Sequence, residues 1–304
     1  MRTLVLSGAG NFGALQAGAI EAVLETGFLP ELIVGTSAGA LNGLLLASDP
    51  TPGGARRLQS AWRQVSLREI GTPGWLGSVR RLVTQRDSLV PSVPLARFVA
   101  RSLGLDLETF GQLQARCGIR ARTMAVCMET GELVAFGDHG DDRLIDGAMS
   151  STAIPPYLPP WRAGGRRYLD GSVVSKLPLL AAIERGATQI LALNVVSLFG
   201  GLQAAHGMAG IASYAISLGI EEMTAREVGL ARRTGVELHL LDLHSPPEIA
   251  FWDFSRADRL IAAGQQAARS WIESTPLRFR APWRTAARVW VAGIGRRLER
   301  LAGG

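Results

Sequence analysis

The sequence predicts an α/β fold in three layers, with helices on both faces of a mostly parallel central sheet. Three observations carry that expectation. Short apolar runs near Arg2, Leu32 and Gln189 have the length and composition of strands buried on both faces. The first two runs each pass through glycines into a helix-like stretch, so strand and helix alternate twice within fifty residues, the pattern of parallel strands joined by crossover helices. Of 304 residues, 47% are apolar and 19% charged, which supplies a sizeable core and excludes a disordered chain.

Taken in order, Arg2 to Ser7 reads as the first buried strand, and Ala14 to Glu25, after a glycine loop, as a helix with apolar residues at helical spacing. Leu32 to Gly35 reads as the second strand, running without a spacer through Thr36, Ser37, Ala38 and Gly39 into the helix-like Ala40 to Ala47. Prolines and glycines make residues 49–56 a loop. Residues 57–116 read as mostly helical with Pro and Gly breaks, and Ile119 to Phe136 as a hairpin turning at Thr130 and Gly131. A Pro-rich loop over Ile154 to Pro160 leads to a short strand over Arg166 to Leu169, closed by Asp170 and Gly171. From Gly186 to Ile220 there is no charged residue, but β-branched residues open the stretch and glycines, Gln203 and His206 interrupt it. A buried strand followed by an apolar helix is expected there, rather than a membrane span.

Charge and cysteine content narrow the function. The net charge of +6 is unevenly placed: residues 276–304 carry seven arginines against Glu299 alone, so residues 1–275 are neutral overall. A neutral body with one cationic tail argues for an appended surface-binding segment, and no nucleic-acid module is recognisable. In the tail, Trp283, Ala287, Trp290, Ile294, Leu298 and Leu301 recur at three- and four-residue spacing among the arginines, the composition of a basic amphipathic helix lying on an anionic bilayer. A helix packed on the body, or a frayed end, is the plainer alternative. Cys117 and Cys127 cannot build a disulfide framework or a four-ligand zinc site, and His139, His206, His239 and His244 lack metal-ligand spacing, so no metal is expected. The chain enters its first strand with no apolar leader, which makes a cytoplasmic, reduced protein the expectation, peripheral on the inner membrane face if the tail binds there.

Two glycine motifs lie at strand ends. Gly8, Gly10 and Gly13 complete a G-x-G-x-x-G between strand and helix, the pattern of a dinucleotide-binding loop. That reading requires an acid at the end of the second strand, or an arginine near it, and there the chain has Gly35, Thr36 and Ser37 instead. Gly35-Thr36-Ser37-Ala38-Gly39 is a G-x-S-x-G nucleophile elbow. Its serine occupies a tight, strained turn, the small flanking residues let strand and helix approach, and the helix N-terminus favours developing negative charge. The plainer reading of Ser37 is a helix N-cap. An acyl-transfer serine also needs oxyanion donors and a base. The amides of the Gly8 to Gly13 loop, at the end of the neighbouring parallel strand, can supply the donors.

Four blocks in order resemble the patatin-like phospholipase family: LVLSGAGNFGALQAGAI, VGTSAGALNGLLLA, TGELVAFGD and SSTAIPPYLPPWRAGGRRYLDGSVVSKLP. The resemblance is strong over residues 1–196 and weaker through ADRLIAAGQQAARSWI to about residue 273. It implies a patatin-like α/β/α acyl hydrolase domain over 1–275, with the tail appended. It implies Ser37 as nucleophile and Asp170, of the Asp170-Gly171 dipeptide, as general base without histidine. It implies backbone oxyanion donors at Gly8, Ala9 and Gly10, a lipid or acyl-ester substrate, and no cofactor. Ala9 replaces the usual middle glycine and Phe12 stands where many members carry Arg or Lys, as in the triglyceride-lipase branch; Ser172 stands where Gly or Ala is commoner. One rival reading is a catalytically weak membrane-associated scaffold of the same fold. Another is a Ser-His-Asp triad drawing on His206, His239 or His244, which follow Asp170 in the required order. The acids of FGDHGDDRLIDG do not fit a calcium loop and read as solvated turn carboxylates.

Overall fold

The computed structural model describes residues 1–66, 87–103, 108–196, 206–251 and 253–275. One sheet holds the strands β1 (Arg2–Leu6), β2 (Leu32–Thr36), β3 (Arg120–Cys127), β4 (Leu133–Phe136), β5 (Trp161–Ala163), β6 (Arg166–Asp170), β7 (Gln189–Val196) and β8 (Glu237–His244). β8, β7, β1, β2 and β3 run parallel side by side, and β4, β6 and β5 add antiparallel pairings at the β3 end.

Alternate residues of a strand point to opposite faces, and here both faces are covered. Leu4, Leu6, Leu191, Leu193, Leu241 and Leu243 enter one apolar cluster, whereas Val5, Ile190 and Ala192 enter another. The first is closed by α1 (Gly13–Glu25), α2 (Ala38–Ser48), α3 (Pro52–Gln64), α4 (Ser92–Leu103), α5 (Phe110–Cys117) and α6 (Leu144–Ser151). The second lies beneath α7 (Leu179–Glu184) and α8 (Gly207–Arg233). A last helix, α9 (Ala257–Ser274), returns to the first face through Leu260 and Ile261. The expected three layers and mostly parallel sheet are present.

One expectation fails at residues 49–56. The prolines and glycines there do not make a loop throughout, because α3 begins at Pro52. Thr51 caps it by accepting the Gly54 N–H at 3.1 Å, and a proline in the first turn lacks only an N–H that has no intrahelical partner anyway. The uncharged stretch 186–220 supplies β7 and the first half of α8, and among the described residues no helix is long and apolar enough to cross a membrane. Residues 276–304, expected as an amphipathic tail, lie outside the described residues.

α9 joins the body through close contact with α1. A methyl group added at Gly18 would lie 2.0 Å from the Ile261 carbonyl oxygen, and one at Gly264 2.0 Å from that of Leu15. Alanine favours a helix over glycine by about 1 kcal/mol, but prising packed backbones apart costs about 1–3 kcal/mol. Gly264→Ala is therefore expected to lower the urea unfolding midpoint. Gly229→Ala, on α8 with open space around it, is expected to hold or raise that midpoint in the same assay.

Candidate active site

The elbow forms where β2 ends and α2 begins. Ser37, between them, has φ 55° and ψ −125°, and among the described residues it is the one non-glycine with positive φ. Such a conformation costs about 1–3 kcal/mol and persists only where the surroundings enforce it. They do so here by contact. A methyl group at Gly35 would meet the Gly39 carbonyl oxygen at 2.3 Å, and one at Gly39 the Leu6 carbonyl oxygen at 2.4 Å, so elbow, helix and β1 touch backbone to backbone. Hydrogen bonds complete the restraint. The Ser37 N–H donates to Ser151 Oγ at 2.9 Å, Ser151 Oγ donates to the Met124 carbonyl at 2.6 Å, and Thr36 Oγ1 donates to the Ser175 carbonyl at 3.1 Å.

Sheet register brings Asp170 to this serine. Thr123 pairs with Gly35 of β2 and Phe136 of β4, while Ala125 pairs with Val134 of β4 and Asp170 of β6. β2 and β6 therefore share the edge of β3 opposite β4 and run toward each other. Thr36 lies against Met124 and Asp170 against Ala125, one rung apart. Asp170 is fully buried; its Oδ1 accepts the Ser172 N–H at 2.8 Å, and its Oδ2 has no donor at hydrogen-bonding geometry among the described residues. Burial pushes its pKa up to about 6, against the opposing pull of the Ser37 hydroxyl and then of the Ser172 amide and hydroxyl.

The glycine loop packs beside Ser37, since a methyl group at Gly8 would come within 3.4 Å of Ser37 Cβ. Gly8 itself is a correction to the expected donor set. Its single N–H donates to the Lys176 carbonyl at 2.9 Å and is not free for an oxyanion. The Ala9 and Gly10 amides make no hydrogen bond among the described residues. Phe12 is buried, with its ring edge-on to Phe251 at 6.0 Å. Asn11 Nδ2 fastens the loop to the C-terminal segment by donating to the carbonyls of Ala250 and Asp253.

From Ser37 opens a cavity of about 440 Å³. Its apolar wall comes from α2, α3 and α4, through Leu41, Leu45, Leu58, Leu95 and Val99. Ser217, Ile220 and Glu221 of α8 face it from the other side, with Lys176. The four histidines are absent from this lining, and His239 instead contacts Glu237 on β8 at 2.6 Å. Three of the four acids of the FGDHGDDRLIDG stretch are engaged away from the cavity: Asp138 pairs with Arg122 and Arg185, Asp142 accepts the Gly137 N–H, and Asp146 accepts the Trp161 Nε1–H.

Several site residues escaped sequence reasoning. Gln16 and Asn42 are lone amides within apolar helices, a visible signal. Gln16 Nε2 donates to the Ser7 and Leu193 carbonyls, Asn42 Nδ2 donates to the Gly13 carbonyl and Gln16 Oε1, and Asn42 Oδ1 accepts the Trp62 Nε1–H. Lys176, the chain's single lysine, was likewise legible only as an oddity of composition. Ser151 carried no signal at all.

Comparison with known proteins finds similar sequences and similar structures. The lysophospholipase NTE1 of Saccharomyces cerevisiae is 29% identical over 205 residues, covering 64% of this chain and 11% of that protein. The uncharacterized protein YjjU of Escherichia coli is 27% identical over 198 residues, 64% of this chain and 51% of its own. The chain thus spans about half or less of the length of these relatives. Among solved structures, VipD from Legionella pneumophila gives a TM-score of 0.48 at 13% identity, over 90% of this chain and 67% of its own. Human GIVD cytosolic phospholipase A2, with a methyl gamma-linolenyl fluorophosphonate inhibitor, gives 0.47 at 13% identity, over 90% and 60%. A family model described as patatin-like phospholipase matches residues 4–183, more than half of the chain, which belongs to that family.

Proposed function

We propose that this chain hydrolyses carboxylic esters of lipids through an acyl-enzyme on Ser37, with Asp170 as general base. The observation that carries the reading is the meeting of a strained serine and a buried carboxylate at the foot of an apolar cavity. A carboxylate in water is too weak a base for a serine hydroxyl. Burial raises the proton affinity of Asp170, and the transfer occurs where water is excluded. As Ser37 Oγ attacks the ester carbonyl, its proton passes to Asp170. The carbonyl oxygen, now negative, is held by the Ala9 and Gly10 amides, with the Ala38 N–H at the start of α2 beside them. The tetrahedral intermediate then collapses, and the alcohol leaves with the proton from Asp170. Water gives its proton to Asp170, attacks the acyl-enzyme and releases the fatty acid, returning the proton to Ser37. The leucine and valine wall suits an acyl chain, and the family name and the lysophospholipase relative favour a lipid substrate.

Hydrolysis of p-nitrophenyl esters of graded chain length tests it. Ser37→Ala and Asp170→Asn are each expected to lose about a thousandfold or more in kcat/KM, and wild type alone to react with a fluorophosphonate label. A folded wild-type protein that neither turns over nor labels would favour the scaffold reading, and an Asp170→Asn variant that labels at the wild-type rate would move the base elsewhere.

The raised pKa has two consequences of known sign. Because Asp170 must be ionised to accept the proton, kcat/KM is expected to fall as pH drops through about 6. Between the ordinary aspartate value near 4 and about 6, the native state keeps a proton that the unfolded chain has released, so this group's contribution to stability falls as pH rises through that window. Two units correspond to at most about 3 kcal/mol. Asp170→Asn is thus expected to be inactive yet more resistant than wild type to urea at pH 8, with the difference closing toward pH 4.

A further inference from the structure

α8 mixes its faces, with polar groups buried beside Ile220 and Ala231 and large apolar groups exposed. Ser217, Thr224 and Glu227 face the body and are at most 9% exposed, whereas Met208 is 92%, Ile211 58%, Ile216 57% and Leu218 46% exposed. A surface helix of a soluble protein normally presents the reverse, apolar stripe inward and polar face outward. Of the nine large apolar side chains exposed among the described residues, six lie on this helix, which makes them a patch rather than ordinary surface scatter. From Gly207 to Ile220 it carries no charge, about 20 Å of helix at 1.5 Å per residue.

The helix cannot roll to hide this face, because its inward polar groups are bonded. Glu227 accepts from Ser175 Oγ at 2.8 Å and from the Leu180 N–H at 3.0 Å, and Glu221 pairs with the buried Lys176. The other side of the same segment is a cavity wall, through Ser217, Ile220 and Glu221. Whatever covers the outer face therefore lies about one helix diameter, about 10 Å, from the cavity that begins at Ser37.

We infer that the outer face of α8 over residues 207–220 docks on a lipid bilayer and sets the cavity beside the lipids it draws on. The inference rests on the lipid-ester reading of the site. The helix does not meet the length and apolarity of a span, so it lies in the interface. Its charged half, with Glu222, Arg226, Arg232 and Arg233, stays in water. The uncharged N-terminal half is the part that enters. Continuity with the acyl cavity favours a bilayer over a second copy of the chain, which would shut this side instead of supplying substrate.

The test uses full-length protein and vesicles of phosphatidylcholine and phosphatidylglycerol. Ile211 and Leu218 are two turns apart on the same exposed face and outside the cavity lining. Ile211→Glu/Leu218→Glu is expected to weaken vesicle flotation at least tenfold while keeping hydrolysis of soluble p-nitrophenyl butyrate within twofold of wild type, which also reports correct folding. Ser37→Ala is expected to float as wild type does, so docking is read without turnover. If wild type floats as expected but hydrolyses no ester, the activity reading fails and the docking surface stands. If wild type does not float, or the double variant floats equally well, the inference is overturned. It is also overturned if the double variant converts a dimer to a monomer, which assigns the face to a second copy. Accelerated trypsin cleavage of the double variant at the arginines of residues 276–304 would assign the face to the tail and overturn the inference in the same way.

Discussion

One edge of one strand holds the candidate site together. β2 and β6 approach from opposite directions along the same side of β3, and their ends stop one rung apart, at Met124 and Ala125. Ser37 and Asp170 are 133 positions apart in sequence, and backbone pairing alone brings them together. A slip of one residue in either register would turn every side chain of that strand to the opposite face, burying polar groups without partners and exposing the core. The hydrophobic layers above and below the sheet thus protect the geometry of the site, although few of their side chains touch it. Ser151 adds a clamp at the junction itself, accepting from Ser37 and donating to Met124.

The second constraint is a set of buried amides bonded to one another. Gln16 and Asn42 use their side-chain N–H groups and oxygens to tie the end of β1, the start of α1, the elbow helix and Trp62 together. Each group left unpaired in such a place costs about 1–3 kcal/mol, so the glycine loop and the elbow helix keep one relative position. That rigidity holds the Ala9 and Gly10 amides, which make no hydrogen bond among the described residues, at the cavity that Ser37 also lines. Asp170 carries the opposite sign: its burial costs stability and returns it as proton affinity.

Lys176 links these parts to α8. Its carbonyl takes the Gly8 N–H, its ammonium donates to the Val195 carbonyl at 2.6 Å, and it pairs with Glu221. Burial lowers its pKa and Glu221 opposes the shift. The glycine loop, the end of β7 and the helix with the exposed apolar face are therefore joined through one side chain and its own backbone. The polarity of α8 follows from the same arrangement, since its carboxylates are needed inside.

Local signals in the chain were enough for β1 to β4, β6 and β7, the alternation of strand and helix near the N-terminus, and the two blocks around Ser37 and Asp170. A strand buried on both faces must be apolar throughout, and an elbow must be small at fixed positions; both rules act over a few residues and leave a readable mark. Where the same residue types serve two purposes, local reading failed: Pro52, Gly53 and Gly54 signal a loop, yet Thr51 and Pro52 open a helix. The pairing of β6 beside β2, the loss of Gly8 as a donor to Lys176, the clamp at Ser151 and the exposed apolar face of α8 were decided only by tertiary structure. Each depends on which distant group occupies a hydrogen-bond partner or a surface, and that competition is settled in three dimensions, by burial, after the local elements have formed.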